Sequence, residues 1–243
     1  MKQITELQKD LAATFRWTAR LNMHEGVANH FSACVPGSTT DFYVNKAGVH
    51  FSQIKASDLI LVTNENINEL SKKPEIVDAT AINIHGAIHQ KVPHAKCIFH
   101  VHSKYATALS ALKDTNLPPI DQNTMRFYNR VSTYNDYGGM GFKEESQKMA
   151  NALGNKQHML LANHGILITG ETVADGFDAL YYFEKSAETY LTALSSNQEL
   201  NIVTHKVAEK TAQEWANYPT SLARAHLDQI RIILDKEEPD YKN

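Results

Sequence analysis

The sequence predicts an α/β sandwich, in which helices flank a sheet of mostly antiparallel strands. In several long segments, apolar residues recur at steps of three and four, which is the period of a helix. Elsewhere, short apolar runs are bounded by turn-forming residues, as strands are. Because these runs mostly do not alternate one-for-one with helices, a doubly wound parallel sheet is not expected.

Length and composition predict one domain over residues 1–243. A chain of 243 residues is at the upper end of what one core serves. Hydrophobic residues make up 42% and charged residues 21%, which is ordinary globular usage and excludes disordered, collagen-like and coiled-coil chains. The net charge of -3 comes without a basic stripe, so nucleic acid is not an expected partner.

The first half of the chain is predicted to begin with a helix and continue as a meander. Apolar residues from Ile4 to Met23 share one helical face. Three strand-like pieces follow, and then a helix and a β-rich run. These five segments cover residues 29–35, 42–45, 59–63, 79–90 and 96–102.

The second half is predicted to be richer in helix. Ser103 is the expected N-cap of a helix over residues 103–112. Strand-like pieces at 158–163 and 166–169 lie on either side of a His164-Gly165 corner, and long helices are predicted at 173–194 and 207–233. The charged residues 235–240 are expected to be frayed.

The amino-terminal residues and the cysteines predict a cytoplasmic protein without a membrane partner. Glu6 and Asp10 interrupt any signal-peptide core, and no apolar run approaches membrane-spanning length. Cys34 and Cys97 lie in apolar strand-like runs, where reduced thiols behave as small hydrophobes.

The spacing of three histidines suggests a metal site. In a strand, His100 and His102 project from the same face, an arrangement that suits a divalent metal and equally suits a hydrogen-bonded pair of core histidines. His164 follows an apolar run and precedes Gly165, where a strand can end at a cleft. Three protein ligands leave a coordination position open, which favours a catalytic site over a structural one.

Other histidines give weaker signals. His85 and His89 have the spacing of paired metalloprotease ligands, but Gly86 stands where the glutamate base would be, which excludes that class. His30 has no convergent partner that the sequence reveals.

Several motifs, taken in order, resemble the class II aldolase/adducin superfamily, which includes fuculose phosphate aldolase, metal-dependent decarboxylases and the adducin head domain. They are Asn29, Lys46-Ala47-Gly48, Ala56-Ser57-Asp58-Leu59, His85, His100-Val101-His102 and Asn163-His164-Gly165. The resemblance covers a core of about residues 6–194 and leaves 195–243 as a C-terminal helical extension.

The resemblance implies a three-layer α/β/α sandwich around a largely antiparallel sheet. It also implies a cyclic homotetramer with active sites near subunit interfaces. The metal ligands carry over onto His100, His102 and His164, with Zn²⁺ the first expectation and Mn²⁺ or Fe²⁺ the alternatives.

One departure from the family pattern concerns the reaction. The family's aldolases carry a Ser-Ser-Glu run whose glutamate lies four residues before the histidine that corresponds to His85, whereas this chain has Ala79-Thr80-Ala81 there. Because alanine cannot move a proton, the usual retro-aldol reaction is not expected, and the missing serines argue against a phosphorylated sugar. The resemblance therefore implies a carbon-carbon lyase that stabilises an enolate or phenolate, with a decarboxylase preferred over an aldolase.

Further residues are candidates for handling a small acidic or carbonyl substrate. Arg126 is a candidate for binding a carboxylate, because guanidinium binds carboxylates bidentately. Asn29, Lys46 and Gly48 are substrate-binding candidates; Lys46 could equally be a solvated turn residue. The proton donors considered are His85, Tyr128 and Tyr134, although each tyrosine could simply be a packing aromatic.

Two alternatives stay open. The three histidines could hold iron for an oxygenase, since ligand softness does not exclude that metal at imidazoles. The chain could also be a non-catalytic interaction domain of the adducin kind, although the intact histidine triplet argues against this.

Overall fold

The computed structural model describes residues 4–136, 138–139, 143–218 and 221–243. Within them, seven strands form one sheet in the order β3-β2-β1-β4-β7-β6-β5. The strands are β1 (His30–Cys34), β2 (Phe42–Val44), β3 (Ile60–Val62), β4 (Cys97–Val101), β5 (Val131–Tyr134), β6 (His158–Leu161) and β7 (Gly165–Gly170). Only the β5–β6 pair is parallel in the described sheet, so the expected largely antiparallel sheet is confirmed.

Helices cover both faces of the sheet. They are α1 (Glu6–Arg20), α2 (Ile67–Leu70), α3 (Ala79–Lys91), α4 (Lys104–Ser110), α5 (Lys143–Leu153), α6 (Val173–Ser195), α7 (His205–Ala216) and α8 (Leu222–Glu237). Among the described residues, none of these helices combines the length and apolar composition needed to cross a bilayer.

The alternation of side chains along the strands creates the three layers. Phe99 of β4 packs into a core with α1, α4, α6 and α8, while its neighbour Ile98 packs into a second core with α3 and α5. In β7, Ile168 packs in the first of these cores and Leu167 packs in the second. The expected α/β/α sandwich is therefore confirmed.

Local sequence explains several helix boundaries. Thr5 and Gln8 form a capping box at the start of α1, and Thr172 caps α6 through the backbone N–H of Asp175. Gly176 lets α6 approach the sheet, because a Cβ at this position would lie 2.4 Å from the Phe99 ring.

Most of the predicted elements are confirmed to within a few residues, but one predicted helix needs correction. The helix predicted at 207–233 is two helices, α7 and α8, and the sequence carries Pro219 between them. Strand β5 and helix α5 were not predicted. The strand is a half-buried edge with a Val-Ser-Thr-Tyr sequence that lacks a continuous apolar run.

The prediction of a frayed carboxyl-terminal segment is wrong. Tyr241 is completely buried, and the backbone N–H of Ser57 donates to the carbonyl of Asn243. Arg16, which is 4% exposed, forms ion pairs with Glu238 and Asp240. The charges of this segment therefore attach it to α1 instead of solvating it.

We predict that Arg16→Met lowers the free energy of unfolding by about 3 kcal/mol, because it removes one partner of a buried ion-pair group. It also removes the donors to the carbonyls of Ile54 and Gln53. Urea unfolding measures the change. The control is Lys9→Met on the same helix, which breaks a surface pair with Glu6 and should change stability by less than about 0.5 kcal/mol. Equal stability of the two variants would contradict the prediction.

Candidate metal centre

Three histidines converge where β4 and β7 meet. His100 lies in β4, His102 follows its last residue, and His164 lies in the turn between β6 and β7. One ring nitrogen from each lies within 4.8 Å of the other two. The Nε2 atoms of His100 and His102 are 3.1 Å apart. The predicted convergence of the three side chains is thus present in the structure.

The turn that carries His164 depends on its two neighbours. Asn163 has a positive φ of 58°, which asparagine tolerates better than most residues. A Cβ at Gly165 would lie 2.5 Å from the carbonyl oxygen of Val101, so only glycine allows β7 to begin this close to β4. These two residues therefore bring the ring of His164 next to that of His102.

Hydrogen bonds to the second ring nitrogens point the first ones inward. His100 Nδ1 donates to the carbonyl of Ile166 over 3.0 Å, and His102 Nδ1 donates to Glu25 Oε2 over 2.6 Å. A neutral imidazole that donates from Nδ1 keeps a lone pair on Nε2, which is the form that binds a metal. The donor set therefore fits a divalent ion of the kind that accepts imidazole nitrogen.

Burial keeps the rings of His100 and His164 neutral. It lowers the pKa of His100 well below the ordinary value, and the neighbouring His30 lowers it further. Burial, followed by the proximity of His102, lowers the pKa of His164 to about 4. Near pH 7 both side chains are consequently in the form that can ligate.

The loop from Glu25 to Asn29 holds His102 from the outside. Asn29 has a φ of 75°, and its Oδ1 accepts hydrogen bonds from the backbone N–H groups of Glu25 and His102. Those two donors identify the other side-chain atom as Nδ2, which is buried and has no hydrogen-bond partner among the described residues. Asn29 can therefore donate a hydrogen bond to a ligand.

Glu184 of α6 holds in place the segment that follows His102. It accepts hydrogen bonds from the hydroxyl of Ser103 and from the backbone N–H of Tyr105 and Ala106. Ser103 is the N-cap residue, as predicted, but its hydroxyl serves Glu184 and makes no capping bond.

The three histidines open into a cavity of about 300 Å³, called the histidine cavity below. Its other lining residues are Ala28, Asn29, His30, Asp78, Thr80, Ile84, Gly139 and Asn163. No lysine or arginine is among the described lining residues. Within this part of the chain, the cavity offers no lysine or arginine that would hold a phosphate.

The structure separates several predicted site residues from this cavity. Lys46 is exposed, and Gly48 lies in the same turn with a φ of 71°. The guanidinium of Arg126 lies 3.7 Å from the ring centres of both Tyr182 and Trp215 and pairs with Asp178. Arg126 therefore does not line the histidine cavity of its own chain, and its contact with a substrate stays a prediction.

The expected proton donors also lie outside the described lining. The Tyr128 hydroxyl bonds to Nδ1 of His205 over 2.9 Å, and Tyr134 is buried in the core with α5. His85 is completely buried, and its Nε2 lies 2.7 Å from Nδ1 of His30. None of the three lines this cavity in its own chain, and their roles as proton donors stay predictions.

Position 81 also differs from the expectation. Thr80 and Ile84 of α3 line the histidine cavity, whereas Ala81 is 1% exposed and packs in a third core with Phe42 and Val77. At this turn of α3, the side chain that lines the cavity is therefore that of Thr80. Asp78 is the carboxylate among the described lining residues.

Sequence reasoning missed His30 and Glu25. His30 pairs directly with His100 across β1 and β4, and the two ring centres are 5.0 Å apart. The strand that contains His30 was predicted, but its partner residue could not be, because His100 lies 70 positions further along the chain. Glu25 lies in an irregular loop whose shape no local pattern predicts.

Known proteins show which family this chain is similar to. A family model described as Class II Aldolase and Adducin N-terminal domain matches residues 9–191. A Caulobacter vibrioides protein with the provisional name of aldolase class 2 protein is 30% identical over 238 residues, which cover 96% of this chain and 90% of that protein.

Two relatives from Streptomyces carry enzyme names. The 4-hydroxy-3-prenylphenylpyruvate oxygenase/4-hydroxy-3-prenylbenzoate synthase of Streptomyces roseochromogenus subsp. oscitans is 30% identical over 164 residues. Decarboxylase NovR of Streptomyces niveus is 29% identical over 164 residues. Each match covers 67% of this chain but only 58% and 60%, respectively, of the relative.

Solved structures share the whole fold. An aldolase II superfamily protein from Pseudomonas syringae has a TM-score of 0.87 at 28% identity, covering 100% of this chain and 97% of the other. L-fuculose 1-phosphate aldolase from Glaciozyma antarctica PI12 has a TM-score of 0.82 at 27% identity, covering 98% and 92%.

We predict that Glu25→Gln weakens Zn²⁺ binding by about 10- to 100-fold, because the carboxylate orients His102 and increases its basicity. Competition with a chromophoric chelator measures the dissociation constant. The control is Glu69→Gln, which removes an exposed carboxylate of α2 that pairs with Lys73. An affinity within twofold of the parent value in Glu25→Gln would contradict the role given to Glu25.

Proposed function

The chain belongs to the class II aldolase and adducin N-terminal domain family, and from this premise we propose that it is a divalent-metal-dependent carbon-carbon lyase of the decarboxylase type. The observation that carries the proposal is the convergence of His100, His102 and His164 at an open cavity, where hydrogen bonds at Nδ1 turn the Nε2 lone pairs of His100 and His102 inward. A divalent ion bound there would supply a Lewis acid that stabilises negative charge developing on a substrate oxygen.

The cavity lining supports a small acid or carbonyl compound as substrate. The unpartnered Nδ2 of Asn29 can donate to a carbonyl or carboxylate oxygen. Ala28 and Ile84 contribute apolar surface to the lining. The lack of lysine and arginine in the described lining argues against a phosphorylated sugar, which needs charged partners when it leaves water.

Decarboxylation is preferred over aldol cleavage for two reasons. The turn of α3 beside the cavity carries no glutamate: it presents the hydroxyl of Thr80 to the cavity, and Ala81 packs in a hydrophobic core. A relative that matches two thirds of this chain is named a decarboxylase. Loss of carbon dioxide requires stabilisation of the remaining negative charge, and it does not require a base at position 81.

The proposal extends to the metal, the assembly and the location of the protein. We propose Zn²⁺ first, with Mn²⁺ or Fe²⁺ as alternatives, and one domain over residues 1–243 that assembles as a homotetramer in the cytoplasm. Lys46, Arg126, Tyr128 and Tyr134 have a place in catalysis under this proposal only if they complete the site of a neighbouring subunit, since they do not line the cavity of their own chain.

An oxygenase is the second candidate, because one relative has oxygenase in its name. The same three imidazoles also suit ferrous iron. Activity that requires iron and disappears without oxygen would favour this candidate over the lyase.

We predict about one divalent ion per chain in the purified or reconstituted protein, and its loss in His100→Ala and His164→Ala, because each variant removes one of three ligands. Elemental analysis measures the ratio. The control is His205→Ala, which removes an exposed histidine that bonds to Tyr128 and should leave metal content unchanged. Protein that remains metal-free after reconstitution would overturn the proposal.

The reaction class is tested on the metal-loaded protein. We expect release of carbon dioxide from members of a panel of β-keto acids and ortho-hydroxy aromatic acids, reduced at least about 100-fold in His100→Ala. L-fuculose 1-phosphate is included as the aldolase substrate. Cleavage of this sugar phosphate without any decarboxylation would make the protein an aldolase.

A further inference from the structure

A chain of hydrogen bonds leads from the histidine cavity into the protein interior. It joins four side chains, three of them imidazoles, and ends on a backbone carbonyl. The distances are 2.7 Å from His30 Nδ1 to His85 Nε2, 2.6 Å from His85 Nδ1 to Ser32 Oγ, 2.7 Å from Ser32 Oγ to His89 Nε2 and 2.6 Å from His89 Nδ1 to Ala95 O. All four side chains are buried.

The end of this chain determines the direction of its first bonds. The carbonyl of Ala95 can only accept, so His89 carries its hydrogen on Nδ1 and donates it there. In a neutral His89 ring, Nε2 is then an acceptor. The hydroxyl of Ser32 must therefore donate to His89.

The remaining directions follow one after another. With its hydrogen given to His89, the Ser32 oxygen accepts from His85 Nδ1. The neutral His85 ring then accepts at Nε2 from His30 Nδ1. His30 consequently has its hydrogen on Nδ1, and its Nε2 is left with a lone pair.

Burial keeps the three rings neutral, because a charged imidazole would lose its hydration in a dry interior. It lowers the pKa of His89 to about 4 and that of His85 well below the ordinary value.

Thr80 does not alter the state of His30 Nε2. Its Oγ1 is 3.4 Å from that nitrogen, at the long limit for a hydrogen bond. The Thr80 hydroxyl instead donates a hydrogen bond to Asp78, with 2.5 Å between Oγ1 and Oδ1. Since His30 lines the histidine cavity, its Nε2 remains able to accept a hydrogen bond from a ligand.

We propose that His30 accepts a hydrogen bond from a substrate hydroxyl at Nε2, so that the histidine cavity selects hydroxy acids over acids without a hydroxyl group. Asn29 supplies the complementary donor to the carboxylate. His85, Ser32 and His89 are positioning residues that fix the tautomer of His30. The substrate class rests on the proposed function, whereas the tautomer of His30 is independent of it.

The tautomer is tested first, on the whole metal-free protein at pH 7. Long-range ¹H–¹⁵N correlation spectra of protein labelled with ¹⁵N-histidine distinguish protonated from bare ring nitrogens, and His30→Gln assigns the signals of His30. We expect Nδ1 protonated and Nε2 bare. A hydrogen on Nε2 of His30, alone or together with one on Nδ1, would overturn the proposal.

The chain of hydrogen bonds is tested by Ser32→Ala. This variant removes the acceptor of His85 Nδ1, so His85 can protonate at Nε2 and donate to His30, whose own hydrogen then moves to Nε2. The matched control is Ser186→Ala, another fully buried serine, whose hydroxyl donates within α6 to Tyr182. An unchanged His30 tautomer in folded Ser32→Ala would show that the chain does not fix it; Ser32→Gly, which also removes the hydroxyl, replaces this variant if it does not fold.

The selectivity is tested with lactate and propionate, which differ by one hydroxyl, on protein shown by elemental analysis to be Zn²⁺-loaded. Calorimetry should show that lactate binds more tightly to the parent, and that His30→Phe reduces the lactate-to-propionate affinity ratio about tenfold. Chelation of the metal by the hydroxyl would survive in this variant, so an unchanged ratio overturns the selectivity. Failure to load Zn²⁺ would instead count against the proposed function.

Discussion

The pairing of β4 with β1 on one side and β7 on the other is the constraint on which the candidate site depends. In this register His30 stands opposite His100, and the first residue of β7 lies beside the end of β4, so that His164 meets His102. Gly165 makes the second approach possible, because any side chain there would collide with the Val101 carbonyl. Both pairings are antiparallel, and each joins segments more than 60 positions apart. The site is therefore a consequence of long-range strand pairing.

Buried imidazoles impose a second constraint, which is the need for hydrogen-bond partners. An unpaired polar group in a dry interior costs free energy, which favours partners for the ring nitrogens of the histidines around the site. The carbonyls of Ile166 and Ala95 accept hydrogen bonds from His100 and His89, respectively. These fixed backbone acceptors orient the rings, and the remaining lone pairs point toward the cavity or along the chain to His30. The same burial that stabilises the core thereby prepares the site.

Much of this site could be predicted from local spacing, and the rest could not. His100 and His102 follow from strand alternation, and His164 from the position of Gly165. The roles expected of Arg126 and Tyr128 stay predictions, because within one chain their polar groups bind Asp178 and His205, which lie more than 50 positions away. Glu25 and His30 were missed for the same reason, since their partners are distant in sequence and close only in space.

The sequence by itself determined the elements and their buried faces, because helical and strand periods are local properties of the chain. It also determined the three histidines and, through the family motifs, the α/β/α sandwich. Tertiary structure decided which strands are neighbours, where the carboxyl-terminal segment attaches and which nitrogen of each imidazole carries a hydrogen. These features depend on contacts between distant residues, and local periodicity contains no information about which distant segment will supply the partner.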